Sequence, residues 1–317
     1  MTDHQAPLGS GLDAHTTASS VLSGLDIKGR YAIVTGGHSG LGLETTKALA
    51  EAGANVLVPA RNLEKAKAAI RDIPGVMVDV LDLADLTSVR AFAKRASASG
   101  RHIDMLINNA GIMACPETRV GPGWEAQFAT NHLGHFALVN LLLPLLEGGA
   151  RVVSVSSAGH HASPIRWGDV QFTHGYDKWH AYGQSKTANA LFAVQVDRLG
   201  RDRGVRAFSL HPGKIFTPLQ RHLSQQEMTA AGWLDENGSP ADPTFKTTAQ
   251  GAATQLWAAT SPLLDGLGGL YCEDCDVAVR AEVADQPFVG VKTYAVDDKE
   301  AERLWILSAN ITGINAF

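Results

Sequence analysis

The chain has 317 residues, of which 45% are hydrophobic and 19% are charged, and its net charge is −5. A chain of this length and apolar content can bury a full core, which excludes intrinsic disorder and allows one large α/β domain or two smaller ones. The negative charge argues against nucleic acid or an anionic membrane as a partner.

The first 27 residues are rich in Ser, Thr, Gly and Ala and contain neither a basic start nor a continuous apolar run. They therefore do not match a secretory signal peptide. We predict that residues 1–27 form a flexible extension and that the protein is cytoplasmic. The three cysteines are too few for a disulfide framework, which also favours a reducing compartment.

From residue 31 onward, short apolar runs alternate with segments of helical periodicity. The pattern predicts strands at 31–35, 55–59, 76–80, 103–107, 151–155 and 205–210, and helices at 41–52, 62–70, 86–98, 181–199, 246–260 and 298–309, with a long helical region that ends at 146. The strands lack clean alternation, which is typical of parallel strands buried on both faces. Repeated βαβ units predict a doubly wound α/β sheet of about seven strands with helices on both faces.

The remaining organisation is simple. The longest apolar stretch, 136–146, is too short to cross a membrane, so we expect no membrane partner. Residues 28–317 show no break that suggests a second domain. Within this single catalytic domain, the segments at about 157–180 and 214–245 are predicted to face a substrate.

A glycine-rich turn follows the first predicted strand, in the run Thr35-Gly-Gly-His-Ser-Gly-Leu-Gly42. Glycines allow a tight turn and let a pyrophosphate approach the backbone, while the next helix directs its N–H groups and its dipole at the phosphates. The spacing is not G-x-G-x-x-G, but the position between a strand and a helix strengthens the signal. The turn predicts a Rossmann-type dinucleotide site that contains Gly36, His38, Ser39, Gly40, Leu41 and Gly42.

The choice of cofactor is read from the end of the second predicted strand. A site that prefers NAD usually places an acidic residue there to bind the ribose 2′-OH, whereas this chain has Arg61 and no acid before Glu64. A guanidinium can grip a 2′-phosphate with two hydrogen bonds, so we favour NADP(H) over NAD(H). If Arg61 is only a solvated residue at a helix start, NAD stays open.

Tyr182 and Lys186 are four residues apart, which places both side chains on one face of a helix. A nearby ammonium stabilises phenolate, so we expect Lys186 to lower the pKa of Tyr182 and make it a general acid or base near neutral pH. A hydroxyl at the end of an upstream strand, from Ser156 or Ser157, would donate a hydrogen bond to a substrate oxygen.

Over about residues 28–300 the chain resembles the short-chain dehydrogenase/reductase family, because it contains several of the family's motifs in the family's order. The glycine turn, the Asn108-Asn-Ala-Gly111 run, Ser157 and the Tyr182-x-x-x-Lys186 spacing are similar to the signatures of that family. The resemblance implies an adenine contact at Asp82 and Leu83, cofactor contacts at Asn109, Ala110, Gly111, Tyr182 and Lys186, and a nicotinamide segment that includes Pro212, Gly213, Ile215 and Thr217. Within the family, the chain looks like the retinol-dehydrogenase, WW-domain-oxidoreductase and protochlorophyllide-reductase branch.

The resemblance also implies a mechanism. Ser157 positions the substrate oxygen, Tyr182 gives or takes the proton, Lys186 tunes Tyr182 and binds the nicotinamide ribose, and Asn131 supports a water relay towards Lys186. The function predicted is the NADP(H)-dependent interconversion of a carbonyl and an alcohol on a fairly apolar small molecule. The alternatives are reduction of a carbon–carbon double bond, or a non-catalytic nucleotide sensor. From the family we expect a homodimer or a homotetramer.

Other residues carry weaker signals. Cys272 and Cys275 form a C-x-x-C, which we interpret as apolar packing rather than a metal or redox pair, and the twelve histidines show no metal-ligand spacing. We therefore predict no metal. His160 and His161 follow Ser157 and are interpreted as ordinary loop residues or as the rim of the site. The aromatic residues before Tyr182 and in 214–245 suit a pocket wall or a packed loop equally well, and they are Trp167, Phe172, Tyr176, Trp179, Phe216 and Trp233.

Overall fold

One central sheet of mostly parallel strands is built from segments along most of the chain. In this computed structural model, which describes residues 5–284 and 286–317, the main sheet has eight strands and a two-stranded hairpin stands apart from it. The strands in chain order are β1 (Tyr31–Val34), β2 (Asn55–Ala60), β3 (Val76–Val80), β4 (Met105–Asn108), β5 (Arg119–Val120), β6 (Trp124–Glu125), β7 (Arg151–Val155), β8 (Arg206–His211), β9 (Leu270–Glu273) and β10 (Asp276–Val277).

The helices connect these strands and cover both faces of the sheet. A π-helical turn, Ala129–Leu133, lies between two of them. The α-helices in chain order are α1 (Ala18–Leu22), α2 (Gly40–Glu51), α3 (Leu63–Ile70), α4 (Leu86–Ala98), α5 (Ala126–Phe128), α6 (Gly134–Leu146), α7 (Lys178–Gly200), α8 (Gln225–Ala230), α9 (Thr248–Gly251), α10 (Ala253–Thr260) and α11 (Asp298–Thr312).

The strand order is β10-β9-β8-β7-β4-β1-β2-β3, and all neighbours are parallel except β9 and β10. The chain runs outward from β1 to β3 and then crosses back to β4 on the other side of β1. The carboxyl ends of β1 and β4 therefore lie side by side at a topological switch point, where open α/β sheets bind ligands. The prediction of a doubly wound parallel sheet is confirmed.

The core has two main layers, one on each face of the sheet. In β1, Ala32 and Val34 join the apolar cluster that includes residues of α1, α2 and α10. Tyr31 and Ile33 point to the opposite face and join the cluster that includes residues of α4, α6 and α7. Since both faces are buried, each strand side chain of the size of Ile33 contributes about 1.5–3 kcal/mol by leaving water.

Helix α7 is longer than the sequence pattern predicts and is buried on nearly all sides. It begins at Lys178 rather than at 181, because the Asp177 carboxylate caps it by accepting the N–H groups of Trp179 and His180 at 3.0 and 2.8 Å. One side of the helix contacts the sheet and the other contacts α11. This rigid packing supports the side chains that α7 carries to the carboxyl edge of the sheet.

Strand β9 is the one parallel strand of the main sheet whose position was not predicted. It is only four residues long, and it pairs with β8 from Phe208–Leu270 to His211–Glu273. Cys272 in this strand and Cys275 after it are both buried thiols in the core. Within 5–284 and 286–317, no three His, Cys, Asp or Glu side chains lie close enough together to hold a metal ion.

The N-terminal segment, which we expected to be flexible, makes specific contacts from Gln5 onward. The Gln5 amide donates to the carbonyl oxygens of Tyr271 and Ala278 at 2.8 and 2.7 Å and accepts the Tyr271 N–H at 2.9 Å. The Asp276 carboxylate accepts the N–H groups of residues 8–10. Helix α1 then packs its buried side against α10 and α2. Composition alone did not reveal these long-range partners.

No helix in the described ranges is both long enough and apolar enough to cross a membrane. The chain from Ser157 to α7 and the chain from Lys214 to Lys246 both rise from the carboxyl edge of the sheet. They contain the 3₁₀-helices Ala158–Ala162 and Pro218–His222 together with α8. That these two segments face a substrate stays a prediction.

Candidate functional site

The glycine turn connects β1 to α2 at the switch point. Gly36 and Gly40 adopt left-handed φ values of +67° and +52°, which glycine tolerates without strain. A Cβ at Gly42 would lie only 2.4 Å from the carbonyl oxygen of Gly36, so the backbone packs too closely for any side chain. Ser39 is the N-cap residue, and in the described chain its side chain makes no cap hydrogen bond. The turn therefore offers bare backbone and a helix N-terminus, which suits a pyrophosphate.

The turn is tied to the segment after β4. The Thr35 hydroxyl oxygen accepts the N–H groups of Asn109 and Ala110, both at 3.0 Å. The Asn109 side-chain amide donates back to the carbonyl oxygen of Thr35 at 2.9 Å. Asn109 thus supports the shape of the turn through its side chain. Gly111 follows, and a Cβ there would lie 3.2 Å from Asn131 Oδ1 and 3.6 Å from Lys186 Nζ.

Asp82 and Leu83 follow β3, on the side of the sheet where an adenine was expected. Asp82 Oδ1 accepts the N–H of Ala84 at 2.9 Å, and its own N–H donates to Ser88 Oγ. Leu83 is buried against Gly134, where a Cβ would meet the Leu83 carbonyl oxygen at 2.2 Å. The two residues therefore pack closely against the start of α4 and the start of α6.

A group of basic side chains lies at the end of β2. Arg61 is exposed there, and Asn62 caps α3 by accepting the N–H of Lys65 at 2.9 Å. His38, in the glycine turn, is half-buried, and its Nδ1 has no hydrogen-bond partner among the described residues. Burial and the positive charges of Lys65 and Arg61 lower the pKa of His38. The sequence interpretation included His38 and Arg61 and missed Lys65, which is four residues after Arg61.

The segment after β8 closes over the glycine turn. Gly213 has a φ of +94°, and a Cβ on it would lie 2.7 Å from the Lys246 side chain. Thr217 approaches Gly40, where an added Cβ would be 3.3 Å from the Thr217 Cβ.

This segment also anchors itself in the core. Pro212 and Ile215 are buried, and the side chains of Ile215 and Leu41 both pack against Gly251. The Thr217 hydroxyl oxygen accepts the N–H of Leu219, and a capping box with Gln220 completes the turn. The residues predicted to hold the nicotinamide amide thus lie beside those predicted to hold the phosphates.

Ser156 and Ser157 have different environments. Ser156 is buried, and its hydroxyl donates to the carbonyl oxygen of Lys186 at 2.7 Å. The Ser157 side chain forms a hydrogen bond with Tyr182 and accepts the N–H of Gly159 at 3.0 Å. A Cβ at Gly159 would lie 2.7 Å from the Tyr182 ring, so glycine allows this close approach. Ser157 is therefore the hydroxyl next to Tyr182.

Tyr182 and Lys186 lie one turn apart in α7, and Lys186 Nζ is 5.6 Å from the centre of the Tyr182 ring. Lys186 Nζ donates to the carbonyl oxygen of Val155 at 2.9 Å. Burial raises the pKa of Tyr182 to about 12, although the Ser157 hydrogen bond opposes the shift. Burial also lowers the pKa of Lys186 to about 7.

These pKa values differ from the expectation that Lys186 would lower the pKa of Tyr182. Both side chains are almost fully buried, and burial, which disfavours the charged form of each group, is the largest cause of both pKa shifts. The phenol is therefore protonated at neutral pH and can donate a proton, as a carbonyl reduction requires.

Asn131 lies in the π-helical turn and is fully buried. Its amide nitrogen donates to the Ile112 carbonyl oxygen and to Ser185 Oγ, both at 2.9 Å, and its Oδ1 accepts the Ile112 N–H at 2.9 Å. Asn131 thus binds both polar backbone groups of Ile112, directly after Gly111. π-Helical turns occur often at functional sites because they re-aim one side chain within a helix.

An apolar wall stands over Tyr182. Met113, Ala114 and Leu223 are buried with it, and partly buried Leu219, Met228 and Trp233 pack against this group. These last residues come from the 214–245 segment, which forms an aromatic group of its own. In that group Trp233 contacts Trp179 and Phe245, and Phe245 stacks on Phe216 at a distance of 4.1 Å between ring centres. An ion pair between Lys178 and Glu227 joins α8 to the start of α7.

The earlier aromatic residues have packing roles. The Trp167 indole donates to the Glu300 carboxylate at 2.7 Å, and the Tyr176 hydroxyl donates to the carbonyl oxygen of Cys115 at 2.9 Å. Phe172 is fully buried. Of the aromatic residues before Tyr182, Trp179 is the one that contacts the 214–245 segment through its ring.

The two histidines after Ser157 also differ from each other. His160 is fully buried; its Nδ1 donates to the Ser157 carbonyl oxygen at 2.7 Å, and its Nε2 accepts the N–H of Lys292 at 3.1 Å. His161 is half-buried and bonds to the Gly290 carbonyl oxygen. His160 therefore supports the backbone of Ser157 from inside the protein.

The sequence also matches characterised families. The profile of the short chain dehydrogenase family matches residues 30–228. A probable oxidoreductase from Streptomyces lividans is 44% identical over 296 residues, which cover 90% of this chain and 98% of the relative. Human retinol dehydrogenase 11 is 37% identical over 300 residues, which cover 92% of this chain and 88% of the relative.

Solved structures agree with this assignment. An uncharacterized protein from Mycobacterium paratuberculosis has a TM-score of 0.74 at 36% identity, over 96% of this chain and 99% of the other. A complex of Pseudomonas aeruginosa RhlG with NADP has a TM-score of 0.60 at 23% identity, which supports the fold alone. From the profile, the relatives and the fold together, this chain is an oxidoreductase that belongs to the short-chain dehydrogenase/reductase family, whose members use NAD or NADP, and it resembles the retinol dehydrogenases within that family.

Proposed function

We propose that this protein interconverts a ketone or aldehyde and the corresponding alcohol on a fairly apolar small molecule, with NADP(H) as the cofactor. The observation that carries the proposal is the convergence of Ser157, Tyr182 and Lys186 beside Gly111 and the glycine turn. Oxygen-binding and proton-donating groups thus stand next to a backbone suited to a dinucleotide.

In the proposed reduction, the bound nicotinamide supplies the hydride. Ser157 donates a hydrogen bond that orients the substrate carbonyl oxygen towards Tyr182. The Tyr182 hydroxyl, protonated at neutral pH because burial raises its pKa, gives its proton to the oxygen as negative charge develops there. Lys186 compensates the charge that the phenol then carries, and Asn131 holds the backbone beside Lys186. In alcohol oxidation the same groups act in reverse.

The preference for NADP(H) rests on charge at the end of β2. Arg61 and Lys65 are both exposed there, and the positive charge of each lowers the pKa of half-buried His38 in the glycine turn. A 2′-phosphate carries negative charge and several acceptor oxygens, so it fits this basic group better than a free 2′-OH does.

The apolar character of the substrate rests on the wall of Met113, Ala114 and Leu223 around Tyr182. Binding sites for apolar ligands are lined in this way, with a few polar groups that fix the orientation. Retinol, for which the human relative is named, is an apolar alcohol.

The replacement Tyr182→Phe tests the proposal. We expect kcat to fall by about 100-fold or more, because the proton donor is lost while its ring stays in place. Binding of NADPH, measured by fluorescence titration, is expected to persist. Tyr31→Phe is the matched control, since Tyr31 is a buried tyrosine at the start of β1, at the opposite edge of the sheet. Near-normal turnover of Tyr182→Phe would refute the role of the phenol.

A substrate panel separates this reaction from its alternatives. We expect NADPH to be consumed with ketones or aldehydes and NADP⁺ to be reduced with alcohols. Consumption with enones alone, and a saturated carbonyl compound as the product, would favour reduction of carbon–carbon double bonds. Tight cofactor binding without turnover of any compound in the panel would favour a nucleotide sensor.

A further inference from the structure

A buried histidine in α6, His135, connects the glycine turn to the π-helical turn by hydrogen bonds. His135 is only 2% exposed. Its Nε2 lies 3.0 Å from the Thr35 hydroxyl oxygen, and its Nδ1 lies 2.9 Å from the Asn131 carbonyl oxygen. The sequence spacing did not connect this residue with Thr35, which is one hundred positions away from it.

The partners of His135 determine where its proton lies. A carbonyl oxygen can only accept, so Nδ1 carries the hydrogen that it gives to Asn131. The Nε2 of the neutral ring must then accept from the Thr35 hydroxyl at 3.0 Å, a shorter contact than the one between that hydroxyl and the Ile107 carbonyl oxygen at 3.4 Å. The Thr35 oxygen also accepts the N–H groups of Asn109 and Ala110, so its one donor and both lone pairs are used. Every polar atom at this junction is satisfied.

These hydrogen bonds close a ring around Gly111. Thr35 holds Asn109 and Ala110 on one side of the glycine, and the Asn131 side chain holds Ile112 on the other side. His135 connects Thr35 to Asn131 and so completes the circuit.

The ring encloses backbone that lies close to Lys186 and to the Asn131 side chain. A Cβ at Gly111 would lie 3.6 Å from Lys186 Nζ and 3.2 Å from Asn131 Oδ1. A shift of the Gly111 backbone would therefore move the groups around Lys186 and, through Ala110 and Asn109, the glycine turn as well. Misplacement of about 1 Å in such a site can lower a rate by about 100-fold.

We propose that His135 is a positioning residue that closes this ring, so that the cofactor turn, the Gly111 backbone and Asn131 are held as one rigid unit. The effect on turnover rests on the proposed function, whereas the rigidity of the backbone does not. His135 acts through Thr35 and Asn131 and needs no contact with substrate.

The chain supplies a matched control on the preceding turn. His132 is also buried, at 1% exposed, but it bonds to Ser308 in α11 at 2.7 Å and is surrounded by Phe128, Phe136 and Phe192. It takes no part in the ring. The comparison of His135→Phe with His132→Phe therefore separates the loss of the ring from the loss of a buried histidine.

The first measurement is kinetic. We expect His135→Phe to lower kcat by about 10- to 100-fold and to raise KM for the cofactor, while His132→Phe changes both by less than about twofold. Two conservative variants are each designed to keep one of the two hydrogen bonds of His135 and to remove the other. His135→Asn keeps a donor near the Nδ1 position for Asn131 and should recover most of kcat. His135→Gln keeps a polar group near the Nε2 position for Thr35 and should recover most of the cofactor KM.

The second measurement is hydrogen exchange in the wild-type protein and in each variant, read at the backbone amides of Ala110 and Ile112. We expect exchange at these amides to accelerate by about tenfold or more in His135→Phe and to stay unchanged in His132→Phe. This readout needs no substrate, so it tests the ring even if the wild-type enzyme turns over no carbonyl compound and the proposed function fails. If His135→Phe does not fold, exchange is read at Ala110 in His135→Asn, which lacks the bond to Thr35, and at Ile112 in His135→Gln, which lacks the bond to Asn131. Wild-type kinetics together with wild-type exchange in His135→Phe would overturn the inference, and so would wild-type exchange at these two amides in His135→Asn and His135→Gln.

Discussion

At the scale of single residues, the basic side chains beside the glycine turn are the ones that we expect to determine the choice between NADP(H) and NAD(H). Arg61 follows β2 directly, so its position at the edge of the sheet could be predicted from the sequence. The approach of His38 and Lys65 to that edge could not, because it depends on how the glycine turn and α3 fold towards each other. Arg61 and Lys65 thus form an exposed positive group next to the half-buried imidazole of His38.

The replacement Arg61→Ala should therefore discriminate between the two cofactors. A hydrogen bond to a charged group contributes about 1.5–3 kcal/mol, so we expect KM for NADPH to rise by about 10- to 100-fold and KM for NADH to change little. Arg71→Ala, at another exposed arginine at the far end of α3, is the control. An unchanged ratio of the two KM values would remove the basis for the NADP(H) preference.

At the scale of elements, local chemistry predicted most of the strands and helices but not all of their ends. Helix α7 begins three residues earlier than its apolar pattern because Asp177 caps it. Strand β9 was not predicted, and its position is defined by pairing with β8 on one side and with β10 on the other. Elements that depend on a neighbour are the ones that pattern analysis misses.

The glycine turn is an element whose geometry can be tested directly. In Gly42→Ala the added methyl group meets the Gly36 carbonyl oxygen at 2.4 Å, so the turn must shift. We expect a loss of stability of about 1–3 kcal/mol, which is typical of overpacking, and cofactor binding weakened by at least about tenfold. Urea unfolding and fluorescence titration measure the two effects. Gly168→Ala, where a Cβ meets nothing within 4 Å, should be neutral, and equal behaviour of the two variants would contradict the close packing.

The N-terminal segment is the element in which expectation and structure differ most. Its contacts converge on β9, β10 and the residue that follows them, where Gln5 makes three hydrogen bonds with Tyr271 and Ala278. In Gln5→Ala these buried backbone groups lose their partner, so we expect a loss of about 1–3 kcal/mol in the free energy of unfolding. Gln226→Ala, at an exposed position in α8, serves as the control. A change in Gln5→Ala no larger than in the control would mean that the Gln5 hydrogen bonds contribute nothing to stability.

At the scale of the whole molecule, buried and partly buried histidines couple folding to pH. Burial lowers the pKa of His132, His160 and His211 to about 3 and that of His135 to about 4. In the unfolded chain each titrates near pH 6.5. Glu273 acts in the opposite direction, because burial raises its pKa to about 7 from 4.5.

The sign of the pH dependence follows from these shifts. Near pH 5.5 the four histidines gain a proton on unfolding and Glu273 loses one, a net uptake of three protons by these five groups. Stability should therefore be highest above about pH 6.5 and should fall as the pH drops towards 4, by a few kcal/mol per pH unit. Urea unfolding at pH 7.5, 6.5 and 5.5 measures the slope. Unfolding midpoints that stay constant over this range would contradict the burial of these histidines as neutral rings.

The sequence by itself determined what local backbone chemistry controls. The alternation of strands and helices specifies the doubly wound sheet, the glycines specify a turn that only left-handed φ values and bare backbone can form, and four-residue spacing brings Tyr182 and Lys186 to one face of α7. The tertiary structure decided what depends on burial and distant partners. It placed Ser157 rather than Ser156 beside Tyr182, raised the pKa of Tyr182 where attraction to Lys186 predicted a fall, and docked Gln5 against β9. Desolvation and long-range hydrogen bonds arise only when separate elements pack together, so no local pattern in the sequence encodes them.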